Sequence, residues 1–193
     1  MRQLKYDESV QVAATFLPEI PDDNCLPLNG IYHYAKHLIA ADGSVLIQMP
    51  AYYESAKEGK ILTPDGKVVE TYGRPYPETR EIVRRAIEHN TKALAPDWEM
   101  LAWLCWVHQE LKPDERLFCT VNGRTFVVRN LYRVAMTAIY LHLDTLYVPN
   151  RPDTPLPAYA TTEGSNVFVL IMNARTNGAM AFDYTAPMAE PNF

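Results

Sequence analysis

The sequence has few of the residues and runs that announce a function. Its three cysteines form no C-x-x-C pair, and their odd number argues against a zinc ribbon or a disulfide framework and for a reducing compartment. Glycine is scarce, at 8 of 193 residues, and neither G-x-G-x-x-G nor G-x-x-x-x-G-K-[ST] occurs, so neither phosphate-binding loop is present. Acidic residues outnumber basic ones, giving a net charge of −5, which argues against coating nucleic acid through bulk charge.

Long hydrophobic runs are also missing. The most apolar helical stretch, MLAWLCWV, is far shorter than the roughly 20 residues of a bilayer span. The N-terminal residues MRQLKYDESVQVAATFLPEIPDD do not have the apolar core of a signal peptide. We therefore expect a soluble, cytoplasmic protein without a membrane partner.

The residues that are present are those of an ordinary folded globule. Apolar residues make up 48% and charged residues 21% of the chain. The length favours a single domain over 1–193, with an extended proline-rich loop at about 149–166. Proline, at 15 residues, and tyrosine, at 12, are the generous types, so rigid corners are expected.

Periodicity and turn chemistry predict an irregular succession of elements. The predicted helices are 28–41, 76–94, 95–115 and 131–143, and the predicted single strands are 9–18, 44–49, 145–149, 167–172 and 178–187. Hairpins are predicted at 60–73, around Pro64-Asp65-Gly66, and at 116–130, around Asn122-Gly123. Because helices and strands do not alternate regularly, we predict an α+β fold with mainly antiparallel strands and hairpins packed around a buried central helix. Apolar residues surround nearly the whole of helix 95–115, which makes it the candidate for that helix.

His33 and His37 are a weak candidate metal site. Their spacing would place both imidazoles on one face of helix 28–41. A metalloprotease helix would also need a glutamate after the first histidine and a third ligand, but Tyr34 follows His33. Two surface histidines are the simpler interpretation, so no metal and no cofactor are predicted.

Cys25 is the candidate nucleophile of an alternative, enzymatic hypothesis. A thiol before a helix has a lowered pKa because the helix dipole favours the thiolate. A cysteine-dependent hydrolase or transferase would need a histidine base, for which His108 and His142 are the candidates. Both lie in predicted helices, and Cys105 and Cys119 have the apolar neighbours of inert core thiols.

The segment NGRTFVVRNLYR is the most basic and aromatic part of the chain. Arg124, Arg129 and Arg133 alternate there with aromatic residues, and arginine forks bind phosphate while aromatic rings stack on bases. Nucleic-acid binding through these three arginines is a second alternative. Pairing of the arginines with some of the 23 acidic residues is the simpler interpretation.

Tyrosines beside prolines in loops support the hypothesis that the chain binds another protein. Tyr52, Tyr53, Tyr76 and Tyr159 lie in such segments, and tyrosine and arginine are enriched at the energetic centres of interfaces. Since no complete catalytic set is found, an enzyme is the less favoured interpretation. We predict a non-catalytic macromolecule-binding protein, a regulatory or inhibitory module with a protein partner, of the kind that a phage or mobile element carries. The sequence does not determine an oligomeric state.

Overall fold

The computed structural model describes residues 4–21, 23–113, 115–151, 154–176, 179 and 181–184. Within them, the helices are Tyr6–Ala14 (α1), Thr79–His89 (α2), Trp98–Leu111 (α3) and Val128–Leu141 (α4), with short 3₁₀ segments at Asp23–Asn29 and Ser55–Lys57. The strands are Ile31–Tyr34 (β1), His37–Ala41 (β2), Val45–Pro50 (β3), Ile61–Leu62 (β4), Asn90–Ala93 (β5), Phe118–Val121 (β6), Arg124–Val127 (β7), Thr145–Pro149 (β8), Ala158–Thr161 (β9), Phe168–Ile171 (β10) and Ala181–Asp183 (β11).

An eight-stranded sheet organises the fold. Its order is β4-β1-β2-β3-β10-β9-β8-β5, and every neighbouring pair is antiparallel. Two meanders, β1-β2-β3 and β8-β9-β10, meet where Ile47 of β3 pairs with Val169 of β10. A helix precedes each meander, α1 the first and α4 the second, so the topology repeats a helix–strand–strand–strand unit. A smaller sheet, β11-β6-β7, contains the parallel pair β11–β6.

The two faces of the large sheet pack against different helices. Alternate residues such as Leu38, Ile47 and Val169 point to the main core, which α1, α3 and α4 complete; we call this side the helix face. The intervening residues, including Leu46 and Leu170, pack under Val83 and Ala86 of α2; we call this side the α2 face. α2 leaves part of its face of the sheet open.

The α+β fold with mainly antiparallel strands around a buried helix is confirmed. The hairpin at Asn122-Gly123 forms as predicted, since both residues adopt the positive φ of a type I′ turn, +49° and +68°. The turn at Pro64-Asp65-Gly66 also forms, with φ +84° at Gly66 and the Thr63 amide donating to the Lys67 carbonyl. The predicted strands 44–49, 145–149 and 167–172 correspond to β3, β8 and β10.

The predicted helix 28–41 is wrong, because this segment is the β1–β2 hairpin. Ala35 and Lys36 form its turn with φ of +50° and +59°, a conformation that the sequence does not signal since neither is Gly, Asn or Asp. The turn is held from outside: Glu58 accepts from the Ala35 amide at 2.7 Å, and the Tyr53 hydroxyl accepts from the Lys36 amide at 3.0 Å. The predicted strand 9–18 is also wrong, since residues 6–14 form α1, whose Glu8 side chain accepts from the Lys5 amide at its start.

The buried helix is α4 and not the Trp-rich one. α3 forms within the predicted range 95–115, but Trp103 and Trp106 are 55% and 49% exposed, so its outer side faces water. α4 lies between α3 and the sheet, where Val134, Ala135 and Ala138 are fully buried. The apolar residues of α3 therefore form two surfaces: an inner one that packs in the core and an outer one that is exposed to water.

Three further boundaries differ from the sequence-based expectation. The loop predicted at about 149–166 contains β9, an interior strand of the sheet, whose Ala158 and Ala160 pack in the main core while Tyr159 packs under α2. Helix 76–94 ends at His89, and the next four residues form β5. Of the predicted strand 178–187, β11 covers Ala181–Asp183, and the rest lies largely outside the described residues. No helix in the described part of the chain is long and apolar enough to cross a membrane.

Candidate functional site: an apolar pocket beside a tyrosine cleft

An open apolar pocket of about 180 Å³ lies on the α2 face of the sheet. Five separate segments line it: Leu28; Ala41, Gly43, Ser44, Val45 and Leu46; Pro77, Thr79 and Ile82; Pro157; Leu170 and Met172. Apart from the Ser44 and Thr79 hydroxyls, the side chains of the lining are apolar and none is ionisable. The pocket can therefore hold an apolar group, but its lining offers no acid or base, and so no group that would activate the Ser44 or Thr79 hydroxyl as a nucleophile.

The β2–β3 turn forms one wall of the pocket and has a fixed shape. Asp42 accepts from the amides of Ser44 and Val45, at 2.8 and 3.0 Å, through one carboxylate oxygen. Gly43 has a φ of +89°, which a side chain would strain. The Met172 amide donates to the Ser44 carbonyl at 2.8 Å, so the end of β10 is joined to the same turn.

Arg133 connects this turn to the helix face. Its guanidinium pairs with the second carboxylate oxygen of Asp42, and both side chains are about 15% exposed. The same guanidinium donates to the Thr15 carbonyl, at 2.8 and 2.6 Å, and to the Leu17 carbonyl at 3.3 Å. One arginine of α4 therefore satisfies carbonyls at the end of α1 and holds the wall of the pocket.

Two exposed apolar side chains stand at the mouth of the pocket. Ile82 of α2 is 41% exposed and Met172 is 37% exposed. An apolar cavity of roughly 150 Å³ is enough to hold a benzene molecule. The pocket therefore has the size of one aliphatic or aromatic side chain.

A tyrosine cleft of about 460 Å³ adjoins the pocket. Three rings are stacked in the order Tyr34, Tyr32, Tyr76, with centroids 5.4 and 4.9 Å apart. The Arg80 guanidinium lies 5.0 Å from the centre of the Tyr34 ring, in cation–π geometry. Burial raises the pKa of Tyr32, so its hydroxyl stays protonated and can donate.

The four tyrosines predicted as binding residues separate in the structure. Tyr76 lines the cleft, although its ring is buried and its hydroxyl faces the Ile39 carbonyl at 3.4 Å. Tyr52 is 72% exposed, away from both cavities. Tyr53 donates to Glu58 at 2.9 Å beside the β1–β2 turn. Tyr159 is stacked on Tyr147 at 4.7 Å beneath α2, where burial raises its pKa to about 12.

The three arginines proposed for nucleic acid are engaged within the chain. Arg124 donates to the carbonyls of Pro149 and Gly123, at 2.5 and 3.1 Å. Arg129 forms an exposed ion pair with Glu19. Arg133 has the partly buried role described above. Intramolecular pairing, the simpler interpretation, is thus what the structure contains.

Cys25 and its two candidate bases lie on different sides of the sheet. Cys25 belongs to the first 3₁₀ segment, on the α2 face near Tyr76. His108 stacks on Phe182 at 4.0 Å near the end of α3, and His142 ends α4 with a left-handed φ of +53°. The structure therefore does not bring this set together. Burial raises the pKa of the Cys105 thiol to about 12, as expected for an inert core cysteine.

His33 and His37 point to opposite faces of the hairpin, because His33 pairs with Leu38 while His37 pairs with Tyr34. His33 is buried: its Nδ1 faces the Ile31 carbonyl at 3.1 Å and its Nε2 accepts from the Tyr6 hydroxyl at 2.8 Å. Within the described residues, no three metal-binding side chains come together. The helical spacing that suggested a shared ion does not exist.

Sequence reasoning missed both the pocket and most of the cleft. The pocket residues are ordinary core types spread from Leu28 to Met172, so no local pattern indicates them. Thr79 and Ile82 lie near the start of the helix predicted at 76–94. A helix over 28–41, as predicted, would not place Tyr32 and Tyr34 on one face, whereas the strand β1 does.

Comparison with known proteins gives a fold likeness and no sequence family. No family model and no curated protein matches the chain. Three similar solved structures are a Eubacterium rectale protein described as a DNA polymerase III beta subunit (TM-score 0.62, 6% identity), the Caulobacter crescentus beta sliding clamp (0.59, 12%) and the Streptococcus pyogenes DNA polymerase beta subunit (0.61, 13%). These alignments cover 88–90% of this chain and 63–65% of those chains. The chain thus has a sliding-clamp-like fold and spans less than two thirds of the length of these three chains.

Proposed function

We propose that the chain is a non-catalytic scaffold that binds a segment of a partner protein in the apolar pocket on the α2 face. The observation that carries the proposal is an open pocket with apolar walls and fixed edges. A preformed pocket of this kind gains apolar burial without ordering its own walls, which favours binding. A regulatory or inhibitory role remains part of the proposal, because a scaffold that binds a segment of its partner would keep other proteins from binding that segment.

The fold likeness supports the same kind of function. The similar structures are polymerase subunits and sliding clamps by name, so a protein of a DNA-replication assembly is the partner class we propose. The absence of ionisable groups from the described pocket lining agrees with a binding role. An assembly with further copies of the chain belongs to this proposal too.

Peptide selection with a matched pair of variants tests the pocket. A random peptide library is panned against the wild type, Ile82→Asp and Ile87→Asp. Both isoleucines are similarly exposed on α2, at 41% and 45%, but Ile82 alone lines the pocket. We expect peptides with an apolar anchor to bind the wild type and Ile87→Asp but not Ile82→Asp, since a buried carboxylate opposes apolar occupancy. Equal binding to both variants, or no anchored peptide at all, would contradict the proposal.

DNA contact is the second candidate, favoured by the names of the similar structures. The groove between α1 and α4 offers mixed groups, including Glu8, Gln11, Arg133 and Tyr140, and no basic stripe. Among the three proposed arginines, Arg129 is the most accessible, with a side chain 57% exposed. Fluorescence anisotropy with a labelled duplex should show affinity that falls with salt and weakens in Arg129→Gln. Salt-independent binding would exclude phosphate contact.

A further inference from the structure

We infer that the tyrosine cleft binds carboxylate groups of the partner segment, so that the partner carries Asp or Glu residues beside its apolar anchor. This inference rests on the proposed function, because it assigns the second half of the same binding surface. It is drawn from three properties of the cleft: its continuity with the pocket, its local charge and the state of its aromatic rings.

The cleft and the apolar pocket form one surface. Pro77 and Thr79 line both cavities, and they lie at the start of α2. Ile82 then faces the pocket, whereas Arg80 faces the cleft. An extended segment with its anchor in the pocket would therefore place its neighbouring residues in the cleft.

The cleft is locally basic in an acidic protein. Lys60, Arg74 and Arg80 line it against the single carboxylate of Glu78, although the whole chain carries −5. Glu58, which lies near Tyr32, adds a second carboxylate beside the cleft, and its oxygens accept from the Ala35 amide and the Tyr53 hydroxyl, so three cations stand against two carboxylates. The local excess of positive charge is complementary to an acidic segment.

The rings of the cleft are not free to stack on a ligand. Tyr32 has Tyr34 on one side and Tyr76 on the other, and the guanidinium of Arg80 lies over Tyr34. Tyr76 is 8% exposed. Since nucleobase binding depends on open ring faces, the cleft suits anionic groups better than bases.

Two guanidiniums are held in place before any ligand arrives. The Tyr34 ring supports Arg80, and Arg74 donates to the Asn24 carbonyl at 3.0 Å. A planar guanidinium binds a carboxylate through two parallel hydrogen bonds. Positioned arginines lose less conformational freedom on binding than mobile ones, so this geometry favours carboxylate recognition.

The experiment extends the peptide selection to the residues flanking the anchor. Peptides selected on the wild type are compared with those selected on Arg80→Gln and, as a matched control, Arg85→Gln. Both arginines are exposed on α2, but Arg85 lines neither cavity. We expect Asp and Glu to be enriched beside the anchor on the wild type and on Arg85→Gln, and this enrichment to be lost on Arg80→Gln. A fluorescein-labelled peptide from the selection should bind Arg80→Gln about fivefold more weakly, and with less salt dependence, because a partly exposed charge pair is lost.

The outcomes separate the inference from the proposed function. Anchored peptides without acidic enrichment, or with enrichment that survives Arg80→Gln combined with Lys60→Gln, would overturn the inference and leave the pocket proposal standing. Failure to select any anchored peptide would remove the proposed function itself. Competition by an oligothymidylate that depends on Arg80 would show that the cleft prefers nucleic acid, and that result also overturns the inference.

Discussion

Replacing Arg133 by alanine should unfold the protein at a clearly lower denaturant concentration. The side chain is 15% exposed and pairs with Asp42, which is 14% exposed, while it also donates to the carbonyls of Thr15 and Leu17. Removing one member of a buried ion pair costs about 3–5 kcal/mol, because the remaining charge loses its partner without regaining water. Since some water reaches this pair, we expect a loss near the lower end, about 3 kcal/mol. For a chain of this size the melting temperature should fall by roughly 6–12 °C.

Urea unfolding followed by tryptophan fluorescence and circular dichroism measures this loss. The matched control is Arg129→Ala on the same helix, whose ion pair with Glu19 is more than half exposed and should contribute at most about 1 kcal/mol. A double-mutant cycle of Arg133→Ala with Asp42→Asn should give a coupling of at least about 1 kcal/mol. The reasoning is refuted if Arg133→Ala is no less stable than Arg129→Ala, or if the two substitutions of the cycle are additive.

Three other predictions concern the buried His33, the closely packed Gly30 and the exposed indoles of α3. Burial lowers the pKa of His33, so the folded protein binds its proton less readily than the unfolded chain; stability should be fully present above pH ~6.5 and decline as the pH falls below it. The urea midpoint of His33→Gln should change less with pH below ~6.5 than that of the wild type. Equal pH dependence of the two midpoints would contradict the role given to His33. Gly30→Ala should destabilise by about 1–3 kcal/mol in urea unfolding, because an added Cβ would lie 2.6 Å from a Val69 methyl; an unchanged midpoint would mean that the methyl can move away. Acrylamide should quench the wild type strongly and the Trp103→Phe/Trp106→Phe variant weakly, whereas similar quenching of the two would contradict the exposure of these indoles.

The parts of the fold that were predictable are those with local chemistry. Asn122-Gly123 fixes a type I′ turn by itself, and Asp97 caps the start of α3, where its side chain accepts from the Met100 amide. The β1–β2 turn was not predictable, because Ala35 and Lys36 take positive φ only through contacts with Glu58 and Tyr53. Tertiary contacts override local preference at such positions.

The candidate site was less predictable than the fold. Among the predicted binding residues Tyr76 alone lines either cavity, and Arg133 acts on the pocket from behind its wall. An apolar pocket is assembled from residues that also suit a core, so its location depends on which of them the sheet leaves uncovered. Only the pairing of β3 with β10, and the position of α2 across them, shows that Leu46, Leu170 and Ile82 meet.

The antiparallel contact between β3 and β10 has a consequence for the synthesis of the chain. Ile47 and Val169 are separated by most of the sequence, so the first meander leaves the ribosome long before its neighbour exists. During that interval the edge of β3 presents unpaired amides and carbonyls beside apolar side chains, a state that invites association with other nascent chains. Chaperone dependence of production, and inclusion bodies from chains that end before Phe168, are the expected signs of this delay.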